Sequence, residues 1–209
     1  MLVRDAMTAD PTLVSTDTPM MEAMQRLREG GYRRLPVVDG DRLVGIVTDR
    51  DLKEAAPSKA TTLSVYELNY LLAQMRVRDV MREPVITVRP SDPIERAALL
   101  MEEHRISGLP VVDGDRLVGI VTITDLLHAF VGFLGIREGG TRVTVEVPDE
   151  PGVLARAARA AAPSNIVAAV TAGVEHGHVR SLVLRVTGQD AAGFPDRLKA
   201  EGISVTDVR

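Results

Sequence analysis

The pattern of hydrophobic and polar positions repeats along the chain with an offset of 74 residues. The string LPVVDGDRLVGIVT occupies residues 35–48 and occurs again, letter for letter, at residues 109–122. In each copy two short runs rich in Val, Ile and Leu flank an Asp-Gly pair, which predicts a tight β-hairpin with positive φ at both central turn positions. The register holds without a gap from residues 3–55 to residues 77–129. The chain therefore contains an internal duplication.

Apolar residues at helical spacing precede each hairpin and predict one helix in front of it. They are Met20, Ala23, Met24 and Leu27 in the first repeat, and Ile94, Ala97, Ala98 and Met101 in the second. Thr18-Pro19 and Asp92-Pro93 stand just before these helices, which predicts a capping residue followed by Pro at the first helical position.

A T-x-x-D sequence follows each hairpin at once, as Thr48 with Asp51 and as Thr122 with Asp125. It predicts the start of a further helix, because Thr at the N-cap and an acidic residue in the first turn both stabilise helix beginnings. Each repeat thus has the order helix, strand, strand, helix. Such a unit leaves one apolar sheet face open, so we expect the two repeats to pair.

Three segments connect or follow the repeats. Residues 57–62 are predicted to be a loop, and Ser64 with Glu67 forms a capping-box pattern that opens a helix to about Met75. After the second repeat, apolar residues cover more than one helix face, which is typical of a helix buried between domains or subunits. These residues are Leu126, Leu127, Phe130, Val131, Phe133 and Leu134. Residues 137–140 are predicted to be a flexible linker.

The remaining residues, 141–209, follow a different pattern. Val143, Val145 and Val147 alternate with polar residues, which predicts a half-buried strand. Pro151-Gly152 then starts a helix. The pattern then predicts two strands, near residues 166–172 and 179–187, on either side of a turn at 175–177. It ends with a helix near 192–200 and a last strand at 203–208. This order, βαββαβ, is the ferredoxin-like plan. The fold class predicted for the whole chain is α/β (α+β).

Composition narrows the range of functions. The 209 residues are 45% hydrophobic and 26% charged, with a net charge of −4 and no Cys. The charges are interspersed without a basic face, which argues against a nucleic-acid partner. Without Cys there is neither a disulfide nor thiol chemistry, as is common in the cytoplasm. No signal peptide and no apolar run of 18 residues is found. We expect a cytoplasmic protein that has no membrane partner.

The sequence resembles two known families. VRDAM at residues 3–7, VRDVM at 77–81, the two hairpin strings and the T-x-x-D pairs resemble tandem CBS domains, a Bateman module. DEPGVL at 149–154 and Asn165-Ile166 resemble an ACT domain. The implied domains are a first CBS repeat at 1–56, an inter-repeat loop and helix at 57–76, a second repeat at 77–136, a linker at 137–140 and an ACT-like domain at 141–209. Together they resemble the acetoin-utilisation protein B group.

The CBS resemblance implies adenosine-nucleotide sites in clefts between the paired repeats. Asp51 or Asp125 would accept hydrogen bonds from the ribose hydroxyls, with Thr48 or Thr122 adding another. The residues before each hairpin would also line the clefts, and with Arg50 they complete the candidate set: Tyr32, Arg33 and Arg34 in the first repeat, and Ile106, Ser107 and Gly108 in the second. Because Arg33, Arg34 and Arg50 belong to the first repeat, we expect its cleft to prefer the more highly charged nucleotide. Helix capping alone is the alternative interpretation of T-x-x-D.

Other candidate sites are weaker. The ACT resemblance implies a small-ligand site at Asp149, Gly152 and Asn165, although Pro163 stands where a Gly is usual in that family. The histidines of Glu175-His176-Gly177-His178 could hold a metal, but this segment is predicted to be an exposed hairpin turn without an evident third protein ligand, so no metal site is predicted. No nucleophile is paired with a base, and no P-loop or dinucleotide fingerprint occurs. An enzyme is therefore not expected.

The sequence supports a non-catalytic, homodimeric regulator. It requires no cofactor and takes an adenine nucleotide (AMP, ADP, ATP or S-adenosylmethionine) as its regulatory ligand. A link to acetoin utilisation follows from the group resemblance. The alternative is an amino-acid-responsive regulator, in which the ACT-like domain binds the effector and the CBS pair is a scaffold.

Overall fold

The computed structural model describes residues 1–55, 64–174 and 179–209. This part of the chain forms two compact units, Met1–Leu126 and Leu127–Arg209. The loop predicted at 57–62 and the turn predicted at 175–177 lie outside the described residues, and so does the group Glu175, His176 and His178.

The first unit contains the two repeats. Its helices are α1 (Val3–Ala6), α2 (Met20–Gly30), α3 (Asp49–Ala55), α4 (Val65–Gln74) and α5 (Ile94–Glu103). Its strands are β1 (Thr8–Ala9), β2 (Val14–Ser15), β3 (Arg34–Asp39), β4 (Arg42–Thr48), β5 (Gly108–Asp113) and β6 (Arg116–Thr122). Helix α6 (Ile123–Phe133) begins in this unit and continues into the second.

The two identical strings form hairpins with identical pairing. Strands β3 and β4 are antiparallel, as are β5 and β6, and each turn has two residues between its last paired residues. Gly40 and Gly114 take the first turn position, with φ of 60° and 63°. The expectation of positive φ at both central positions was wrong. Only the glycine adopts it, as in a type II′ turn, because Asp at the second position keeps a negative φ.

The two repeats exchange their N-terminal segments. Thr8 of β1 pairs with Ile120 in the second hairpin, and Arg82 pairs with Ile46 in the first. Val3 is accordingly buried in the core of the second repeat, with Leu109, Val111 and Val121. Val77 is likewise buried in the core of the first, with Leu35, Val37 and Val47. The predicted pairing of the repeats is confirmed, and it includes a direct pairing of β4 with β6.

The methionines that end VRDAM and VRDVM explain a glycine in each hairpin. A Cβ atom on Gly45 would lie 2.5 Å from Met81 Sδ, and one on Gly119 would lie 2.6 Å from Met7 Sδ. These separations are shorter than van der Waals contact. Each glycine therefore allows the methionine side chain of the other repeat's N-terminal segment to pack against the strand.

Three helix starts were predicted from capping residues, with different outcomes. Helices α2 and α5 begin one residue later than predicted, because Pro19 and Pro93 occupy the N-cap positions and make no side-chain cap. Thr18 bonds instead to Ser15, through the Ser15 N–H and the two hydroxyls. The capping box of Ser64 with Glu67 is confirmed at the start of α4, where it lowers the pKa of the Glu67 carboxyl.

The second unit confirms the ferredoxin-like order. Its strands are β7 (Thr141–Pro148), β8 (Asn165–Val174), β9 (Val179–Thr187) and β10 (Ser204–Val208). Helix α7 (Val153–Ala161) follows β7 and helix α8 (Phe194–Ala200) follows β9, which gives the order βαββαβ. The sheet order is β10-β7-β9-β8, and all its pairs are antiparallel. Its core joins Val143, Val145 and Val147 to Ala157, Leu184 and Phe194, among others.

Helix α6 carries an apolar face that is exposed in the part of the chain that the structure describes. Leu127, Phe130 and Phe133 are 57%, 56% and 47% exposed, whereas Ala129 is buried. An exposed row of large apolar side chains on one helix is typical of a surface that contacts a partner. Burial of this face between subunits stays a prediction.

Candidate functional site

A cavity of about 400 Å³ lies within the first unit. It forms where the start of the chain, the residues before β3 and the end of β6 meet. Its wall is made by Thr8, Asp10, Pro11, Thr12, Gly31, Tyr32, Arg33, Arg34, Ser107, Ile120, Thr122, Ile123, Thr124 and Asp125. Tyr32, Arg33, Arg34, Ser107, Thr122 and Asp125 are candidates from the sequence, and the structure brings them together here.

Asp125 caps α6 with only one of its oxygens. The Thr122 backbone N–H and the Thr122 hydroxyl both donate to Asp125 Oδ2, at 2.7 Å each. Among the described residues no donor reaches Oδ1. The capping interpretation of this T-x-x-D is thus correct, and it leaves a carboxylate oxygen available in the cavity wall.

Asp51, the counterpart of Asp125, has both oxygens engaged. Its Oδ2 accepts from the Thr48 N–H at 2.9 Å and from the Thr48 hydroxyl at 2.5 Å, and its Oδ1 accepts from Arg82 Nε at 2.5 Å. The residue is only 7% exposed. Burial alone would raise the pKa of the Asp51 carboxyl. The hydrogen bonds from Thr48 and Arg82, and the charge of Arg82, outweigh burial and hold that pKa below its ordinary value.

Arg34 connects the two repeats. Its Nη1 donates to the carbonyl oxygen of Gly108 at 2.8 Å, and its Nη2 donates to Ser107 Oγ. A Cβ on Gly108 would lie 3.1 Å from Arg34 Nη1, so glycine lets the guanidinium approach. Burial, followed by the neighbouring charge of Arg33, lowers the pKa of Arg34. Arg34 is therefore a fixed part of the cavity wall.

Tyr32 contributes an aromatic ring to the wall, and Gly30 makes space for that ring. A Cβ on Gly30 would lie 2.0 Å from Tyr32 Cε2, closer than any side chain could tolerate. The ring is 47% exposed. Its counterpart in the second repeat is the aliphatic Ile106, so the sequence supplies an aromatic ring at this position only in the first repeat.

The structure corrects how the candidates are grouped. Arg33 and Arg34 were assigned to the cleft of Asp51, and this was wrong, because both line the cavity of Asp125. The pairing of the repeats brings the residues before the first hairpin to the T-x-x-D of the second. Arg50 does not line the cavity. Its side chain is 80% exposed and pairs with Glu54 at 2.6 Å, which raises the pKa of Arg50.

Two candidates of the second repeat do not line the cavity with their side chains, and three residues near the aspartates were not predicted from the sequence. Ile106 packs against the core of the second repeat, and Gly108 accepts from Arg34 through its backbone. Thr8 and Asp10 were not foreseen in the wall, and Arg82 was not foreseen at Asp51. The offset of 74 residues that relates Thr8 to Arg82 was the available signal.

The ACT-like candidates have structural roles in the second unit. Asp149 accepts a two-pronged ion pair from Arg180, at 2.9 and 2.8 Å, and this pair raises the pKa of Arg180. Gly152 has a φ of 90° and forms the N-cap of α7, where other residues would be strained. Asn165 is exposed and opens β8 opposite Thr187.

The described residues contain neither a cluster of metal ligands nor a helix that could span a membrane. Within residues 1–55, 64–174 and 179–209, no three His, Asp or Glu side chains gather as metal ligands would. Over the same residues, no helix has the length and apolar character required to cross a bilayer.

The fold defines a class of protein, a pair of repeated modules followed by a second domain. A sequence profile of the CBS domain matches residues 3–58 and 77–132, and a profile of the TTHA0829-like ACT domain matches residues 139–209. The chain belongs to the CBS domain family and carries a C-terminal ACT domain, which confirms both resemblances. The domain boundaries suggested by the sequence stay predictions.

Relatives share the CBS pair. A CBS domain-containing protein of Dictyostelium discoideum is 35% identical over 64% of this chain and 93% of its own length. An L-aspartate semialdehyde sulfurtransferase of Methanocaldococcus jannaschii is 32% identical over 63% of this chain, but the match spans only 23% of that enzyme.

Solved structures match a similar share of the chain. A Vibrio cholerae protein assigned to acetoin utilization matches 66% of this chain and 96% of its own, with 30% identity and a TM-score of 0.55. CBSX2 in complex with AMP matches 62% and 96%, with 32% identity and a TM-score of 0.53. The CBS pair of MJ0100, bound to 5′-methylthioadenosine and S-adenosyl-L-methionine, matches 63% and 97%, with 32% identity and a TM-score of 0.51.

Proposed function

We propose that the cavity beside Asp125 binds an adenine nucleotide, and that the protein is a non-catalytic regulator that responds to this ligand. The observation that carries the proposal is the available oxygen Oδ1 of Asp125 in a cavity that also holds Tyr32 and Arg33. The cavity volume is within the range of small-molecule sites, roughly 300–1,000 Å³. The complexes of CBSX2 and MJ0100 support the ligand class, because their ligands share an adenosine unit.

The ribose of such a ligand would bind at the T-x-x-D. Two vicinal hydroxyls donate well to one carboxylate, and these hydrogen bonds are strengthened by the negative charge. Asp125 Oδ1 has two acceptor positions for the two hydroxyls, while Oδ2 is already engaged by the Thr122 backbone N–H and the Thr122 hydroxyl. The helix cap therefore holds the ribose-binding carboxylate in place.

The base and the phosphate would bind through residues from the first repeat. The half-exposed ring of Tyr32 offers a stacking surface, and Ile120 adds an aliphatic contact. Base–aromatic stacking contributes about 1–3 kcal/mol. Arg33 is exposed and, in the described part of the chain, its guanidinium has no acceptor, so it is available to phosphate. Arg34 is held by Ser107 and Gly108 and adds positive potential from the wall.

Calorimetric titration with AMP tests the proposal. Losing a hydrogen bond to a charged group costs about 1.5–3 kcal/mol, so Asp125→Ala should weaken AMP about 10- to 150-fold. Glu103→Ala is the matched control, because Glu103 is an exposed carboxylate of the same repeat that does not line the cavity. Unaltered AMP affinity in Asp125→Ala, or absence of AMP binding to the wild-type chain, would refute the proposal.

Arg33→Ser separates the phosphate contact from the rest of the site, since Ser107 is the counterpart of Arg33 in the second repeat. We expect a larger loss of affinity for AMP than for adenosine. Titrations with ADP, ATP and S-adenosylmethionine rank the ligands. The amino-acid-responsive alternative is tested by amino acids in the same instrument. It is disfavoured by the ion pair that already occupies Asp149.

We further propose that the protein acts as a homodimer. The exposed apolar face of α6, made by Leu127, Phe130 and Phe133, supports an interface between copies. The regulated process is proposed to be acetoin utilisation, on the likeness to the Vibrio cholerae protein. No required cofactor and no catalytic step form part of this proposal.

A further inference from the structure

The backbone is equivalent around Asp125 and Asp51. Near Asp125, Thr8 pairs with Ile120 of the following hairpin strand. Near Asp51, Arg82 pairs with Ile46, and its N–H and C=O both bond to Ile46, at 2.8 and 3.2 Å. Each residue in the second set is 74 positions from its counterpart. The exchanged segments therefore present one side chain to each aspartate from the same direction.

These two side chains differ, and the difference decides whether the aspartate is available. Thr8 is short and lines the cavity, where Asp125 Oδ1 has no protein donor among the described residues. Arg82 is long, and its Nε lies 2.5 Å from Asp51 Oδ1, the oxygen that corresponds to the available one. The arginine thus makes at Asp51 the hydrogen bond that a ribose hydroxyl would make at Asp125.

We infer that Arg82 closes the cleft of Asp51 from within the chain, so that each chain binds one nucleotide rather than two. This inference rests on the proposed function, and it adds the stoichiometry and the residue that sets it. A neutral hydroxyl competes poorly with a guanidinium for a carboxylate, because the cation forms the stronger bond.

If Arg82 closes the cleft of Asp51, exchanging the side chains at positions 8 and 82 should move nucleotide binding from Asp125 to Asp51. Arg82→Thr removes the internal donor, and it is expected to fold because the Arg82 side chain is 65% exposed. Thr8→Arg places a guanidinium next to Asp125, at a position that is also exposed. Circular dichroism and tyrosine fluorescence check that both variants are folded.

Titration calorimetry with AMP gives the number of sites. We expect one AMP per wild-type chain, two per chain in Arg82→Thr, and at least tenfold weaker binding in Thr8→Arg. In the double exchange we expect one AMP per chain, now lost on Asp51→Ala and retained on Asp125→Ala.

Three results would overturn the inference. They are two sites in the wild-type chain, a single site in folded Arg82→Thr, and undiminished binding in Thr8→Arg. The proposed function fails differently, through the absence of AMP binding to the wild-type chain. Binding to Arg82→Thr alone would support closure by Arg82 while refuting the site at Asp125.

Discussion

Replacing Asp51 and Asp125 by Asn, one at a time, should reveal a difference in stability between two motifs that share the T-x-x-D pattern. Both variants weaken a helix cap, which costs about 0.5–2 kcal/mol. Asp51→Asn also removes the ion pair with Arg82, whose side chain is 65% exposed, so the pair is discounted to about 0.2–1 kcal/mol. We expect Asp51→Asn to lower the free energy of unfolding by about 1–3 kcal/mol in total. Asp125→Asn should lower it by less, the difference being up to about 1 kcal/mol.

Urea denaturation followed by tyrosine fluorescence measures this difference in the intact chain. Tyr32, Tyr66 and Tyr70 all lie in the first unit, and the chain has no Trp, so the signal reports that unit alone. Adding Arg82→Thr to each variant completes a double-mutant cycle, in which only Asp51 should couple to Arg82. Equal losses in the two Asn variants, with no coupling to Arg82, would refute the assignment of the ion pair.

The pH dependence of this stability has a defined sign. Since the folded-state pKa of Asp51 is lowered, its contribution is fully present above the unfolded-state value of about 3.9. The contribution is lost as pH falls through the folded-state pKa. Wild type and Asp51→Asn should therefore converge in stability below about pH 4. A difference that persists undiminished at lower pH would mean that the ionised carboxylate is not its source.

Three further predictions concern packing and assembly. Gly119→Ala should destabilise the first unit by about 1–3 kcal/mol in the same denaturation assay, because the new Cβ collides with Met7; unchanged stability would contradict the close packing. Gly30→Ala should weaken AMP binding in calorimetry by displacing the Tyr32 ring, and wild-type affinity would exclude the ring from the site. Phe130→Glu should shift the chain from dimer to monomer in analytical ultracentrifugation, whereas an unchanged dimer would exclude the α6 face as the interface.

The sequence was sufficient to predict the local order of elements, because that order depends on periodicity and turn chemistry. The duplicated hairpins, the capped start of α4 and the βαββαβ order of the second unit are all present. The helix starts at Pro19 and Pro93 were displaced by one residue. Pro satisfies the geometry of either the N-cap or the first helical position, so its presence alone does not fix the boundary.

The grouping of the site residues could not be predicted from either repeat alone. It depends on the exchange of N-terminal segments, a tertiary feature that brings Thr8 to Asp125 and Arg82 to Asp51. Each repeat has the T-x-x-D pattern, and in each the backbone N–H and the hydroxyl of the Thr donate to Oδ2 of the Asp. The difference between an available carboxylate and an occupied one therefore lies outside the motif, at the residue that the exchanged segment brings to each aspartate.

The central claim is that Asp125 holds the ribose of an adenine nucleotide, and a crystal structure of the chain grown with AMP tests it most directly. We predict one AMP in the cavity, with its ribose hydroxyls at Asp125 Oδ1, its base on Tyr32 and its phosphate near Arg33. Asp51 should remain paired with Arg82 in the same crystal. AMP bound at Asp51 with Arg82 displaced, or bound away from both aspartates, would contradict the account.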